Sequence, residues 1–340
     1  MGIKPISLII IGLLLNTVNA EVILDGTVGV AGGAITATDN AYSITEAQGQ
    51  LKGSNLFHSF EKFNIDANET AVFSGPDSVQ NIISRVTGER SIINGGIISE
   101  IPDANLWLIN PKGILFGENA SLDIQGSFHA STADYVQLQD DSQYREVNGS
   151  LILTASSPKS FGFIDPSSST ATLDVINVKL TVPEGKSITL LGSDVNLKGS
   201  FLSAPGGNIS VVSINEAGDI IYSDRSDEAL DVESIESFGS ISIDSTSFTI
   251  NGEQEGQLQI KGGELEINSR NTDFVSSVTS LKTSFFEDEG LLEKPCELAD
   301  FYNQGKMNFT VNLDEDETEY GVKTKKTQRG PIGLEVDECL

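Results

Sequence analysis

Short runs of alternating apolar and polar residues recur along the second half of the chain, and their regularity most constrains the fold. Each run places a polar residue between two apolar ones, and Gly, Asn or Pro separates the runs at 188–190, 195–197, 209–211, 241–243, 248–250, 258–260 and 265–267. Alternation over a few residues is typical of a β-strand with one buried face. The sequence therefore predicts an all-β protein.

The spacing of these runs indicates how the strands are arranged. Paired runs start seven residues apart, as from Ile188 to Val195. The pairs recur after 21 residues from Ile188 to Ile209 and after 17 residues from Ile241 to Leu258. Short paired strands that repeat about every 20 residues predict a solenoid, here a parallel β-helix. A sandwich of hairpins would use longer strands with less regular gaps.

A solenoid of this kind needs caps at its ends and tolerates insertions in its loops. One coil cannot bury its own apolar residues, so stacked coils must align them into interior ladders, and the end coils need caps. Residues 21–35 alternate weakly and are predicted to form the N-terminal cap. The polar stretch 136–150 is predicted to be a loop or an excursion outside the helix, and 165–170 another loop.

The first 20 residues read as a secretory signal peptide. Lys4 is followed by the apolar run 6–15, and Ala20 offers a cleavage point before Glu21. A membrane anchor is the alternative, but a span takes about 20 apolar residues. No later segment is apolar enough, so no membrane insertion is expected.

The charge of the chain argues against two classes of partner. It carries 21 Lys and Arg against 49 Asp and Glu, a net charge of −28. Binding to nucleic acid or to anionic lipid requires a basic face, so neither is expected. The surplus of carboxylates is read as a solubilising surface. Calcium coordination is the alternative, although no D-x-[DN]-x-[DN]-G loop is present.

Two segments in the first half carry ordered motifs. Residues 105–117 read NLWLINPKGILFG, in which Asn110, Pro111 and Gly113 suit a tight turn between two apolar runs. Residues 55–65 read NLFHSFEKFNI, with aromatic residues three apart. Four further segments belong to the same ordered series: 73–76, 81–88, 119–124 and 126–132.

In order and spacing these blocks resemble the two-partner secretion domain found at the N-terminus of filamentous-haemagglutinin-like exoproteins. The resemblance is strong over 21–135 and weak over 136–290. Lys112 stands where the family usually has a second Asn in its N-P-N-G-I motif, and no N-P-N-L motif is found. The family resemblance implies a right-handed parallel β-helix with an N-terminal cap and extra-helical β elements over 21–290.

The resemblance also implies a route and a partner. The signal peptide would take the chain into the periplasm of a Gram-negative cell, where POTRA domains of an outer-membrane β-barrel transporter would bind it. The chain would then cross the pore unfolded and act outside as a secreted exoprotein with an adhesive or surface-interaction role toward host or neighbouring cells. The residues predicted to carry the transport signal are Asn55, Phe57, Phe60, Phe63, Asn64, Asn110, Pro111, Gly113 and Ile114.

No enzyme motif accompanies these segments, and no catalytic residue, cofactor or metal ligand is predicted. His58 and His129 follow aromatic residues in strand-like blocks and are read as structural. A β-helix enzyme acting on polysaccharides remains the alternative function. A carbohydrate-binding module using Trp107 is a further one, although that tryptophan is expected to pack under an extra-helical strand.

The last part of the sequence differs in character. Periodicity fades from about residue 290, where an acidic run at 314–317 precedes several lysines. This tail, 291–340, is predicted to be partly disordered or to form a disulfide-tied cap. Cys296 and Cys339 are the only cysteines. An oxidising compartment favours a bridge between them, and two free thiols are the alternative.

Overall fold

The structure, a computed structural model, describes residues 21–147, 150–222, 230–254, 256–268, 273–276 and 310–311. Within these ranges the regular structure is β, apart from two short 3-10 turns at Glu46–Gln48 and Pro166–Ser168. Across the same residues, the structure has no helix with the length and hydropathy of a transmembrane span.

Three sides of the helix are formed by four sheets, named here in the order in which a coil visits them. The first sheet contains, in spatial order, Gly33–Ile35, Val22–Leu24, Asn55–Phe63, Asn81–Val86, Asn105–Ile109, Phe128–Ser131, Ile188–Gly192, Ile209–Ser213 and Leu258–Lys261, with Gln50–Lys52 also paired to Asn55–Phe63. The second sheet contains Ser91–Ile93, Ile114–Phe116, Thr172–Ile176, Asp194–Lys198, Ser240–Asp244 and Glu264–Asn268.

The remaining side of the helix is divided between two sheets. The third sheet serves the early coils with Ala41–Thr45, Thr70–Ser74, Gly96–Ser99 and Ser121–Asp123. The fourth sheet serves the later coils with Lys179–Thr181, Phe201–Ser203, Ser247–Thr249, Asp273–Ser276 and Thr310–Val311. All strand pairs in the second, third and fourth sheets are parallel.

Register along the first sheet explains the core. Equivalent positions stack coil upon coil at a spacing of about 4.8 Å. One interior ladder consists of Leu56, Ile82, Leu106, Phe128, Ile188, Ile209 and Leu258, all buried. Each such side chain contributes roughly 1.5–3 kcal/mol through burial, which no coil could obtain alone.

A column of polar residues at the corner before the first sheet joins the coils as well. The Asn105 Oδ1 accepts a hydrogen bond from the Ser127 backbone N at 2.9 Å, and the Ser127 Oγ accepts one from the Ser187 N at 3.0 Å. The Ser187 Oγ in turn accepts from the Asn208 N at 3.0 Å, and the Asn208 Oδ1 accepts from the Gln257 N at 2.9 Å. Each side chain thus satisfies the backbone of the next coil.

Antiparallel strands close the N-terminal end of the stack. Val22–Leu24 pairs antiparallel with the second half of Asn55–Phe63, and Gln50–Lys52 pairs antiparallel with its first half. Gly33–Ile35 lies outside Val22–Leu24 as the edge strand. The predicted cap at 21–35 is confirmed.

A four-stranded antiparallel sheet, the outer sheet, packs against the outward face of the first sheet. Its strands are Gln143–Tyr144, Tyr135–Leu138, Pro158–Phe163 and Gly218–Ile221. A small hairpin of Glu146–Val147 and Ser150–Leu151 extends from it. Between the two sheets lies a second hydrophobic core that includes Trp107, whose ring centroid is 4.9 Å from that of Phe161. Trp107 is fully buried and presents no face to a carbohydrate.

The predicted fold class, an all-β parallel β-helix with an N-terminal cap and extra-helical strands, is confirmed. The 21-residue repeat is also correct, because Ile188 pairs with Ile209. The 17-residue repeat is wrong: Ile241 belongs to the second sheet and pairs with Leu265, whereas Leu258 belongs to the first sheet. Each complete coil has three strands rather than two. A spacing of seven residues therefore separates strands of the first and second sheets in one coil, and strands of the second and fourth sheets in another.

Several predictions fall outside the described residues. These are the signal peptide at 1–20, the pairing of Cys296 with Cys339, and most of the tail at 291–340. Within that tail, Thr310–Val311 pairs parallel with the strand Asp273–Ser276.

Candidate functional site

The corner at residues 110–113 is fixed by one buried amide. Asn110 lies at the end of the strand Asn105–Ile109, and its Nδ2 donates to the Glu89 carbonyl oxygen at 2.9 Å and to the Ser91 Oγ at 3.0 Å. Its Oδ1 accepts a hydrogen bond from the Lys112 backbone N at 2.9 Å. The side chain therefore closes the turn and ties it to the preceding coil.

Glycine is required at the end of this turn. Gly113 has φ of +104°, and a Cβ built on it would lie 2.9 Å from the Thr172 carbonyl oxygen. Ile114 then enters the core as the first residue of the strand Ile114–Phe116. Pro111 is partly exposed and Lys112 is exposed, so these two residues form the visible surface of the corner.

The aromatic residues of the 55–65 segment divide between the two cores. Phe60 and Phe63 point into the helix, with ring centroids 5.0 Å apart. Phe57 points outward and packs edge-to-face with Tyr144, with ring centroids 4.9 Å apart. Strand alternation places Phe57 and Phe60 on opposite faces, and the register shift with the cap between Phe60 and Lys62 brings Phe63 to the same face as Phe60.

The two asparagines of this segment hold neighbouring chain segments. Asn55 Nδ2 donates to the Ser156 carbonyl oxygen at 2.7 Å, and its Oδ1 accepts from Asn81 Nδ2 at 3.1 Å. Asn64 Oδ1 accepts from the Ile92 backbone N at 2.8 Å. Asn55 thus anchors the excursion, and Asn64 anchors the next coil.

The fold brings the two predicted segments together. The strands Asn55–Phe63 and Asn105–Ile109 lie on either side of Asn81–Val86 in the first sheet. Eight of the nine predicted residues are buried, all except Pro111. In the folded domain these residues hold the core and its corners, and they offer little surface to a partner.

Both histidines are fully buried and pack beside aromatic rings. Burial lowers the pKa of His58 to about 4 and that of His129 to about 3, so both side chains are neutral. His129 Nδ1 lies 3.0 Å from the Thr189 Oγ1, and the centroid of its ring lies 4.3 Å from that of Trp107, with the two rings tilted. Within the described ranges, no group of three or more His, Cys, Asp or Glu side chains is placed to hold a metal ion.

Sequence reasoning missed a buried ion pair beside the corner. Arg85 Nη2 lies 3.7 Å from Asp25 Oδ2, and both side chains are nearly inaccessible. Arg85 Nε and Nη2 donate to the Ser59 Oγ, and its guanidinium lies over the Tyr144 ring at 5.2 Å. A charged residue within the otherwise strand-like run 81–86 was the available signal, since buried charges require partners.

Hydrogen bonding keeps the acidic member of this pair ionised. Burial acts to raise the pKa of Asp25, but hydrogen bonds from Ser59 and Thr27, together with the charge of Arg85, lower it below its usual value. The pair joins the cap, two coils and the outer sheet at one point. It lies in the wall of an open pocket of about 440 Å³ that also includes Pro111 and Lys112.

A capped parallel β-helix with an antiparallel sheet on one side is the class of protein that the fold and this corner define. The family model of the TPS secretion domain matches residues 20–272, so the chain belongs to that family.

Among solved structures, the chain is similar to the crystal structure of the HMW1 secretion domain from Haemophilus influenzae. The identity is 18% and the TM-score 0.38, and the match covers 74% of this chain and 61% of that chain. This chain therefore spans less than two thirds of the length of that structure. No curated protein matches the chain significantly.

Proposed function

We propose that this chain is a secreted exoprotein targeted to an outer-membrane TpsB transporter. The segments 55–65 and 105–117 carry the transport signal. POTRA domains of that transporter bind these segments in the periplasm while the chain is extended. The supporting observation is the burial of eight of the nine motif residues in the folded domain. A signal made of such residues is accessible only before folding. An extended segment can be bound by strand addition to an exposed sheet edge of the partner.

Folding outside the cell would then remove the signal from view. Coils add one after another, so the stack can grow as the chain emerges. The buried Asn110 and Asn55 each bond to a neighbouring chain segment, so both amides are enclosed once these segments assemble. Export would be favoured because the folded product no longer presents what the transporter binds.

Binding to the periplasmic part of the transporter would test this proposal directly. The chain diluted from urea should bind, and the same chain after folding should bind much more weakly. Synthetic peptides of residues 55–65 and 105–117 should compete, whereas scrambled peptides of the same composition should not. Equal binding by folded and unfolded chains would contradict the proposal.

Secretion in cells provides the complementary test. Deletion of residues 105–117 should leave the protein trapped in the periplasm. This deletion also removes two core strands, Asn105–Ile109 and Ile114–Phe116. Deletion of residues 188–198, which removes two equivalent strands outside both segments, therefore serves as the control for misfolding alone. Normal secretion of the 105–117 deletion would count against a signal in this segment.

We also infer an adhesive or surface-interaction role for the exported protein toward host or neighbouring cells, because transport to the exterior by a dedicated pore serves a function there. Binding of the purified, folded protein to whole cells, compared with binding of heat-unfolded protein, would test this role. Failure to bind any surface more than the unfolded control would argue against it.

A further inference from the structure

An open pocket of about 440 Å³ lies where the cap, the ends of the first-sheet strands and the corner at 110–113 meet. Its walls come from four separate parts of the chain, formed by Asp25, Thr27, Arg85, Val86, Thr87, Pro111, Lys112 and Asp134. These parts approach one another only in the folded domain. The pocket therefore exists only in the folded domain, whereas the proposed transport signal is read from the extended chain.

One buried cation in this pocket has unused hydrogen-bonding capacity. Arg85 is 5% exposed, and its Nε and Nη2 are occupied by Ser59 and Thr27. Among the described residues no partner accepts from its Nη1. A guanidinium presents five donors in a fixed fork, so the remaining nitrogen can bind an acceptor that enters the pocket.

The carboxylate beside this cation is already satisfied. Asp25 Oδ2 accepts from the Ser59 Oγ at 2.6 Å and from the Thr87 Oγ1 at 3.1 Å. Its Oδ1 accepts from the backbone N and the Oγ1 of Thr27, both at 2.8 Å. Asp25 thus holds Arg85 in place without offering lone pairs to a ligand.

A second cation stands at the mouth of the pocket. Lys112 is exposed, and no ion pair to it occurs within the described part of the chain. Across the pocket, Asp134 Oδ2 accepts from the Ile164 backbone N at 2.7 Å, which leaves its other oxygen available. The groups open to a ligand are therefore two cationic donors and one acceptor, with the partly exposed Pro111 as the apolar wall.

We propose that this pocket binds the carboxylate of an acidic side chain, presented by an extended peptide segment of a partner protein. Arg85 and Lys112 bind the carboxylate, Pro111 contacts its methylene groups, and Asp134 accepts a hydrogen bond from the neighbouring peptide N–H. Uronic-acid polymers offer the same carboxylate, but they carry many, and a chain of net charge −28 repels a polyanion. A peptide can present a single carboxylate at the mouth.

Titration of the purified, folded chain with blocked tripeptides tests the site. The probe is acetyl-Gly-Glu-Gly-amide, and acetyl-Gly-Gln-Gly-amide is the neutral control. Binding is followed by the NMR shifts of the Thr87 and Lys112 amides. The Glu peptide should saturate these shifts, the Gln peptide should bind several-fold more weakly, and added salt should weaken only the former.

Variants then assign the binding to these residues. Lys112→Gln should weaken the Glu peptide roughly threefold to fivefold, as expected for one exposed ion pair. Lys198→Gln, which removes an exposed lysine on another side of the helix, should change nothing. Replacing the buried pair together, Asp25→Asn with Arg85→Gln, avoids an unpaired charge and should abolish binding while thermal melting shows a folded domain.

Four outcomes would overturn the proposal. The first is the absence of saturable binding up to about 10 mM peptide, well above the millimolar affinity expected of so small a contact. The second is equal affinity for the Glu and Gln peptides, and the third is unchanged binding by the double variant. The fourth is tighter binding of tri-galacturonate than of the Glu peptide at the same amides, which would exclude the peptide as occupant.

Discussion

The Tyr144 phenolic oxygen donates a hydrogen bond of 2.7 Å to the His58 backbone carbonyl oxygen. This contact joins the outer sheet to the first coil across 86 residues of sequence. Tyr144 is fully buried, and burial raises the pKa of its phenol, so the hydroxyl stays protonated and donates at all ordinary pH values. The same ring lies beneath Arg85, so the outer sheet also completes the environment of the buried ion pair.

Replacing Tyr144 by Phe should therefore destabilise the domain modestly. The variant keeps the aromatic contacts with Phe57 and Arg85 but leaves the His58 carbonyl without its donor. We expect a loss of about 1–2 kcal/mol in the free energy of unfolding, measured by urea denaturation. An unchanged midpoint would show that this hydrogen bond is not what holds the outer sheet.

The fold was largely predictable because residues that stack in one ladder recur at a regular interval in the sequence. Ile188 and Ile209 occupy the same position on successive coils, and no insertion lies between them. This regular interval is lost between Ile209 and Leu258, where the strand Gly218–Ile221 leaves the helix to join the outer sheet. A segment that leaves the helix interrupts the regular spacing. The spacing alone does not show to which side of the helix the next strand belongs.

The site was only partly predictable, for a different reason. The turn at Asn110 and Gly113 is encoded locally, because both residue types are required by the conformation they adopt. The pairing of Asp25 with Arg85 is encoded nowhere in the local sequence, since it depends on the cap folding back over the first coil. Burial of the motif residues follows from three-dimensional stacking and could not be inferred from the motif itself.

Gly113→Ala tests the backbone requirement of the corner. A Cβ at φ of +104° and 2.9 Å from the Thr172 carbonyl oxygen is strained both conformationally and sterically. We expect the free energy of unfolding to fall by about 2–4 kcal/mol. Gly185→Ala is the matched control, because Gly185 has φ of +71° but nothing within 4 Å of the added Cβ. Equal losses in both variants would mean that the contact with Thr172 contributes nothing.

The histidines should make stability fall as the pH drops below neutral. In the unfolded chain a histidine has a pKa of about 6.5, so that state binds protons first. In the folded domain burial lowers the pKa of His58 to about 4 and of His129 to about 3. Their neutral forms therefore contribute full stability above the unfolded value, and each histidine loses about 1.4 kcal/mol per pH unit below it.

Urea denaturation between pH 6.5 and 5 isolates this effect, since carboxylates with lowered pKa, such as Asp25, titrate further down. Over that window, protonation of the two histidines in the unfolded chain should lower the free energy of unfolding by about 3 kcal/mol in total. A double variant, His58→Gln with His129→Gln, should lose the slope even though it is less stable at pH 7. A slope that persists in the double variant would assign the effect to other groups.

Asn110→Asp separates the hydrogen bonds of the corner from its shape, because the two side chains are nearly isosteric. The carboxylate would keep the bond from the Lys112 backbone N but would place an acceptor against the Glu89 carbonyl oxygen. We expect a loss of about 3 kcal/mol at pH 7, since a buried charge is left without a donor there.

The same conflict predicts how this loss depends on pH. Burial against an acceptor raises the pKa of the new carboxyl above about 3.9, and the protonated form can donate to Glu89 as the amide does. The difference between variant and native protein should therefore shrink from pH 7 to pH 5, while the histidine effect is common to both and cancels. Asn119→Asp, at an exposed corner, should differ from the native protein by less than about 0.5 kcal/mol at either pH. A difference for Asn110→Asp that stays constant with pH would show that the carboxyl finds water, and that the corner is more open than its buried amide indicates.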